Sequence, residues 1–302
     1  MNAPVLAPCW PACAFQLKLI IGTHTVRTVK GTIYLAAALF AAACGPGNRG
    51  GGGGGGPDGN SMGSGSDNTS YLVYAHSDTV LYTIDLSTKA LVTVGNFNAP
   101  MNDVITDLAV APDGTIYTIS NTALYTASPS DGHVTNVGSL STCGTKGVAL
   151  TTTSDGRLWM GDLMGAICQI DISGATPMVK APVMMSGGMA LSGDMVGIGN
   201  GTVFGTAYKL SDQTTQNNNS LVKIDVTTGQ VTMVGSSGFP RLFGASFQQD
   251  KVFAFTHDGT GRVITIDTNT GVGSMFGTFM DPSTNKGISF AGAGVNSLVT
   301  IE

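Results

Sequence analysis

A short β-rich segment recurs five times after residue 80. Its copies read apolar-x-x-apolar-Asp, with small departures, and they begin at Leu81, Leu124, Ile167, Leu221 and Val263. The starts are 43, 43, 54 and 42 residues apart, and the long step contains a polar insertion at 209–219. A period near 43 is the length of a four-stranded β-propeller blade. The repeat therefore predicts an all-β chain in which each copy marks one blade.

The other strands of each blade fall in a constant order around this marker. An inner strand and a second strand precede it, joined by turns such as Asp113-Gly114 and Asp155-Gly156, and an outer strand ending in Gly follows it. Five markers predict five blades, with six as the alternative. The first marker lacks an inner strand before it, whereas 286–301 resembles an inner pair. We therefore expect the carboxyl-terminal strands to complete blade one and close the ring, which removes exposed strand edges.

One stretch shows the repeat in full. Residues 224–235 read Ile-Asp-x-x-Thr-Gly-x-x-Thr-x-Val-Gly, a pattern that resembles the bacterial YVTN and quinoprotein-like propeller repeats. The resemblance extends over essentially all of 71–302 and implies a propeller there. It implies little about activity, because propellers carry many unrelated functions.

The first seventy residues have the composition of an export signal and a linker. Arg27 and Lys30 precede an apolar run at 33–40 that is too short to span a bilayer, and Ala41-Ala-Ala-Cys44 follows. This ending resembles the bacterial lipobox, which implies lipid attachment at Cys44. Cleavage after one of the alanines, without a lipid, is the alternative. The predicted domains are therefore a signal peptide at 1–44, a glycine-rich flexible tether at 45–70 and the propeller at 71–302.

Residues 1–25 do not fit in front of a signal peptide. They contain Pro4, Pro8 and Pro11 with two cysteines. We expect translation to begin near Val26 or Val29, so that 1–25 is not made.

The charge of the predicted propeller argues against nucleic acid as a partner. From residue 71 onward there are ten Lys and Arg against seventeen Asp and Glu, and a phosphate backbone requires a clustered basic surface. The single Glu of this region is Glu302, so any carboxylate chemistry must come from Asp. The chain has no P-loop, G-x-S-x-G, Rossmann or paired-cysteine zinc motif, and we expect no resident cofactor or metal.

The turns between second and third strands carry the candidate site residues. In a propeller these turns lie on the same face as the connections between blades, here called the loop face. Ala75-His76-Ser77-Asp78 and Thr256-His257-Asp258-Gly259 are predicted to occupy matching positions in neighbouring blades. Asn121 and Asp162 fall in the equivalent turns of blades two and three. His with Asp is suited to a divalent metal or to acid–base chemistry, and ordinary polar surface loops are the alternative.

Two further groups of residues are open to more than one interpretation. Cys143 and Cys168 are both expected at one end of blade three, either as a disulfide or as two small buried residues. Seven Met lie between Met160 and Met195, and core packing is favoured over Cu(I) binding. The recurring Asp85, Asp171, Asp225 and Asp267 are interpreted as turn residues.

These observations favour a non-catalytic function. We expect a membrane-anchored, monomeric binding or scaffolding module of the bacterial cell envelope, on the periplasmic or the outer surface of the outer membrane, with a protein, peptide or glycan partner. The alternatives are a hydrolase or lyase with an Asp/His site on the loop face, and a Met-rich metal or redox protein.

Overall fold

The computed structural model describes residues 72–100, 103–145, 147–212 and 218–298. Regular structure in these ranges is β throughout, apart from a single 3-10 turn at Ser186–Gly188. None of their helical segments has the length and apolarity of a membrane span. The predicted signal peptide, Cys44 and the tether lie outside the described residues.

The strands form five antiparallel sheets, one for each predicted blade. Blade one contains β1 (Leu72–His76), β2 (Val80–Asp85) and β3 (Ala90–Asn96). Blade two contains β4 (Asp107–Val110), β5 (Ile116–Ile119), β6 (Ala123–Ala127) and β7 (Val134–Ser139). Blade three contains β8 (Gly147–Thr152), β9 (Leu158–Asp162), β10 (Ala166–Asp171) and two short outer strands, β11 (Met178–Val179) and β12 (Val183–Met184).

The last two blades follow the same plan. Blade four contains β13 (Met189–Gly197), β14 (Val203–Lys209), β15 (Ser220–Ile224) and β16 (Val231–Ser236). Blade five contains β17 (Leu242–Gln248), β18 (Lys251–Thr256), β19 (Arg262–Asp267) and β20 (Gly273–Thr278). The five-bladed propeller is thereby confirmed, and the six-bladed alternative is wrong.

The carboxyl-terminal region closes the ring as predicted, but with one strand instead of a pair. β21 (Gly292–Gly294) pairs with β1 in the innermost position of blade one, and Ala75 lies opposite Ala293. The second position of that blade belongs to β1, which leaves no place for another strand there. Leu298 is accordingly an exposed turn residue, and 299–302 lie outside the described residues.

The repeated apolar markers occupy equivalent places between blades. The buried side chains group into five clusters, and each cluster lies at the junction of two neighbouring blades. Each marker belongs to a different cluster, in the order Leu81, Leu124, Ile167, Leu221 and Val263 around the ring. Burial of both sheet faces explains why the strands read as continuous apolar runs.

The glycines that end the outer strands permit close contact between blades. A Cβ placed on Gly95 would lie 2.0 Å from the Asp131 carbonyl oxygen of blade two, and one on Gly235 would lie 2.0 Å from the Thr270 carbonyl oxygen of blade five. No side chain fits at such a distance, so the repeat requires Gly at these positions. The recurring Asp residues act as predicted: the Asp85 and Asp225 Oδ1 atoms, for example, accept the backbone N–H two residues further on at 2.8 and 2.9 Å.

Candidate ligand-binding site

Two buried carboxyl groups meet at the axis of the propeller. Asp107 is the first residue of β4 and Asp194 lies within β13, so they come from the innermost strands of blades two and four. Their side chains are hydrogen-bonded to each other. Every innermost strand also donates one backbone N–H to this axial pair: Leu108 and Leu150 to Asp107, and Met195, Ala245 and Ala293 to Asp194. The axial pair therefore ties all five blades together.

The burial of the axial pair keeps a proton between the two carboxyls. Burial raises the pKa of Asp194 to about 8, although the backbone N–H bonds oppose the shift. Burial, and then the neighbouring carboxyl of Asp194, raises the pKa of Asp107 well above its usual value. Two carboxylates in contact cannot both be ionised in a dry site, and a shared proton relieves their repulsion.

His76 lies beside the axial pair and not in a surface loop. It is fully buried, its Nε2 atom is 4.0 Å from Asp107 Oδ1, and its Nδ1 atom is 2.8 Å from the Ser77 carbonyl oxygen. A carbonyl oxygen only accepts, so Nδ1 carries the proton, and Nε2 faces Asp107 without a hydrogen-bond partner among the described residues. Burial lowers the pKa of His76 to about 4, which keeps the ring neutral.

The close packing around His76 depends on a glycine in the closing strand. A Cβ on Gly292 would lie 2.0 Å from Asp107 Oδ1 and 2.5 Å from His76 Nε2. Only a residue without a side chain fits between these two groups. The strand that closes the ring therefore requires glycine at position 292, where its backbone lies against Asp107 and His76.

Above the axis, a cavity opens on the loop face. This mouth cavity has a volume of about 290 Å³, and its lining residues are Leu163, Ser192, Tyr208, Asn219, Arg241, Phe243 and His257. A smaller cavity of about 130 Å³ shares Phe243 and His257 and also contacts Asp78. Thr106, Val148 and Ala291 line this smaller cavity near the starts of β4, β8 and β21, which places both cavities at the end of the ring where innermost strands begin.

Three of the polar groups that line the mouth cavity form hydrogen bonds with backbone groups of the protein. The Tyr208 hydroxyl donates to the Leu163 carbonyl oxygen at 2.8 Å, and Asn219 Oδ1 accepts the Leu242 N–H at 3.0 Å. Ser192 Oγ donates to the Leu242 carbonyl oxygen at 3.4 Å. These bonds fix the shape of the cavity wall.

His257 has one ring nitrogen directed to the protein and one without a protein partner. Nδ1 is 3.0 Å from the Phe290 carbonyl oxygen and 3.2 Å from Ser289 Oγ. Because the carbonyl oxygen is an acceptor, Nδ1 carries the proton and Nε2 is the acceptor of the neutral ring. Nε2 has no hydrogen-bond partner among the described residues. The ring stacks at a tilt on Phe243, with 4.9 Å between the ring centroids.

The expectation that His76 and His257 occupy matching positions is wrong. His76 pairs with Leu81, whereas the residue that pairs with the corresponding marker Val263 is Phe255. His257 is therefore two residues further along its strand, beyond the end of β18. This offset explains why His76 is buried inside the ring while His257 reaches the loop face.

The other candidate residues are distributed between structural and exposed positions. Asp78 is exposed and contacts the smaller cavity, and Asn121 is exposed in its turn. Asp162 is fully buried and accepts hydrogen bonds from Thr145 and from the backbone of its own turn. The Asp162 carboxylate thus stabilises the turn, and it lines neither of the two cavities.

The Asp258 carboxylate is also bonded to other groups of the protein. Its carboxylate forms an ion pair with Arg262 at 2.5 Å and accepts bonds from Thr256 and Thr260. Burial alone would raise its pKa, but the bonds from Thr260 and Arg262 hold the pKa below its usual range. The loop face thus brings together His257 and Asp78, but neither Asp162 nor Asp258 contacts the two cavities.

Cys143 and Cys168 form a disulfide in the structure, which links the connection into blade three with β10. Four of the seven Met residues are core side chains: Met185, Met189 and Met195 belong to the cluster between blades three and four, and Met160 to the cluster between blades two and three. Within the described ranges, no three His, Cys, Asp or Glu side chains are grouped as a metal site requires.

Sequence reasoning missed the axial pair and Arg241. Asp107 and Asp194 stand in mostly apolar inner strands, and an acid in such a run is a recognisable signal of a buried, hydrogen-bonded carboxyl. Arg241 lies in the connection between blades four and five, where no repeat or motif distinguishes it. Its importance depends on the cavity, which is formed from three blades.

Comparison with known proteins reveals similarity in the repeat and the fold. The model of a repeat of unknown function, DUF6923, matches residues 50–187. No curated protein matches this chain. Among solved structures, the chain is similar to a chain of a nidogen–laminin complex, with 14% identity over 74% of this chain and 97% of the other, at a TM-score of 0.47.

Two further solved structures are similar at lower scores. One is a protein of unknown function from Bacteroides caccae, with 10% identity, coverage of 75% and 73% of the two chains, and a TM-score of 0.40. The other is virginiamycin B lyase from Staphylococcus aureus, with 14% identity, coverage of 69% and 65%, and a TM-score of 0.38.

Proposed function

We propose that this chain is an exported, lipid-anchored binding module of the bacterial cell envelope that holds a ligand on the loop face of its propeller without chemically changing it. The observation that carries the proposal is the mouth cavity, whose walls are fixed by internal hydrogen bonds while the Arg241 guanidinium and His257 Nε2 have no hydrogen-bond or ion-pair partner among the described residues. Concave sites with few oriented polar groups are typical of ligand binding.

Binding is favoured over catalysis by the state of the acidic groups. Asp78 makes no hydrogen bond or ion pair with His257 within the described part of the chain, so no acid–base pair is assembled there. The axial pair has suitable chemistry, but both carboxyls are fully buried and hold the backbone of all five blades. A hydrolase or lyase remains the second candidate, because His257 and Asp78 do line one cavity.

The anchoring part of the proposal depends on Cys44 and the glycine-rich segment after it. The variant Cys44→Ser should move the chain from the membrane fraction to the soluble fraction and abolish its labelling by a radioactive fatty acid. The control is Cys9→Ser, which should leave both readouts unchanged because residue 9 precedes the expected start. A Cys44→Ser chain that stays in the membrane fraction would refute lipid anchoring at this residue.

The binding face can be tested within a single blade. A photo-crosslinking amino acid is placed at Asp78, an exposed loop-face residue that lines the smaller cavity, or at Ser87, an exposed residue of the β2–β3 turn at the opposite end of blade one. After irradiation of intact cells, residue 78 should give specific adducts and residue 87 should not. Equal adducts from both positions, or none from residue 78, would contradict binding through the loop face.

A further inference from the structure

Arg241 differs from the other two arginines of the propeller. Arg157 forms an ion pair with Asp155 and Arg262 with Asp258, each at 2.5 Å. Arg241 forms no ion pair with any residue that the structure describes, and it lines the mouth cavity. An arginine facing a cavity in an acidic protein is suited to an anionic ligand, because its planar guanidinium pairs with a carboxylate through two hydrogen bonds.

The backbone holds Arg241 in an unusual conformation. Its φ is 55°, in the left-handed region that a non-glycine residue rarely adopts. Its carbonyl oxygen accepts the His257 N–H at 3.0 Å, which fixes the connection against blade five. A strained residue retained at the rim of a cavity is consistent with a ligand-binding role for its side chain.

The wall of the mouth cavity beside Arg241 supplies an apolar surface and a hydrogen-bond acceptor. Phe243 and Leu163 line the cavity, and the Phe243 ring is supported by the His257 ring. His257 Nε2 accepts a hydrogen bond when the ring is neutral, and so it complements an N–H or O–H group of a ligand. The cavity volume of about 290 Å³ lies near the lower limit for small-molecule sites, which is room for about one amino-acid residue.

From this arrangement we propose that the mouth cavity binds an N-acylated amino-acid carboxylate with an aromatic or large apolar side chain, as a free molecule or as the carboxyl-terminal residue of a peptide. The carboxylate pairs with Arg241, the amide N–H donates to His257 Nε2, and the side chain packs on Phe243. The inference rests on the proposed function and specifies its ligand class.

The test uses the purified full-length chain in detergent and isothermal titration calorimetry. N-acetyl-phenylalanine should bind saturably, and N-acetyl-phenylalanine amide, which lacks the carboxylate, should bind at least tenfold more weakly. The variant Arg241→Ala should reduce the affinity for the acid at least tenfold. The control Arg157→Ala, which removes an exposed arginine far from the mouth cavity, should bind as the wild type does.

Further measurements identify the source of the carboxylate and distinguish a failure of the ligand class from a failure of the proposed function. A hexapeptide ending in phenylalanine that binds more tightly than the acetylated amino acid supports a peptide terminus, and the reverse order supports a free molecule. Equal binding of acid and amide, unchanged affinity in Arg241→Ala, or equally tight binding of inorganic phosphate would overturn the ligand class. If the loop-face crosslinks at residue 78 persist in that case, the proposed function stands; if they are absent as well, both proposals fail.

Discussion

The axis and the mouth of the propeller use polar groups in opposite ways. At the axis, two acids, one proton and five backbone N–H groups satisfy one another in a fully buried site. At the mouth, which opens to solvent, the Arg241 guanidinium and His257 Nε2 have no hydrogen-bond or ion-pair partner among the described residues. The two histidines lie in these two regions: His76 is buried beside the acids as a neutral ring whose Nε2 atom has no hydrogen-bond partner among the described residues, and His257 faces the cavity.

This difference separates polar groups that stabilise the fold from polar groups that are available to a ligand. A buried charge is tolerated only when protein groups satisfy it, so the axial pair stabilises the ring and is not available to a ligand. A partly exposed group can remain unpaired because water satisfies it until a ligand arrives. The loss of an axial group should therefore cost stability, and the loss of a mouth group should cost binding.

The largest effect is expected for Asp194→Ala. The substitution leaves the N–H groups of Met195, Ala245 and Ala293 without acceptors in a dry site and removes the proton partner of Asp107. Breaking a buried hydrogen-bond network by removing one partner costs about 3–5 kcal/mol. The variant should show that loss in urea unfolding, with a Tm lower by on the order of 10 °C.

The matched control is Asp225→Ala. Asp225 also accepts backbone N–H groups, but in an exposed turn where water can replace it. This change should cost about 1 kcal/mol or less. If the two variants lose similar stability, the axial pair is not the tie between blades that its bonds indicate.

The pH dependence of stability is the next effect in size. The folded chain keeps the Asp194 proton up to about pH 8, whereas the unfolded carboxyl loses it near pH 4, so the free energy of unfolding falls as pH rises between these values. His76 acts in the opposite direction between about pH 6.5 and 4, because its folded pKa is lowered. Of these two contributions to the pH dependence of the free energy of unfolding, only that of the axial carboxyl remains above about pH 6.5.

Wild-type stability should accordingly decrease from pH 6.5 to 8, by at most about 1.4 kcal/mol per pH unit for each proton. Urea unfolding at half-unit intervals measures the slope. Asp194→Asn, which leaves Asp107 as the one axial carboxyl that titrates, should reduce the slope, and Asp225→Asn should leave it unchanged. A wild-type stability that increases over this range would show that the pair does not retain its proton.

How much the sequence reveals also differs between the two regions. The five markers Leu81, Leu124, Ile167, Leu221 and Val263 predict the blades correctly, because each blade repeats the same local pattern and buries it against the next. The sites do not repeat. Asp107 and Asp194 are 87 residues apart in sequence and meet only because the ring closes, and the placement of His76 and His257 depends on a two-residue difference in strand register.

The smallest effect on stability is expected for Arg241→Ala. The guanidinium is exposed and has no ion pair among the described residues, and alanine relieves none of the strain at a φ of 55°, so the free energy of unfolding should change by no more than about 0.5 kcal/mol. Urea unfolding beside Asp194→Ala measures this directly. A loss above about 2 kcal/mol would mean that Arg241 has a structural role like that of the axial pair, and the contrast between mouth and axis would then be wrong. A near-zero change together with lost binding of N-acetyl-phenylalanine would assign the side chain to the ligand alone, because the fold would be intact in the variant that no longer binds.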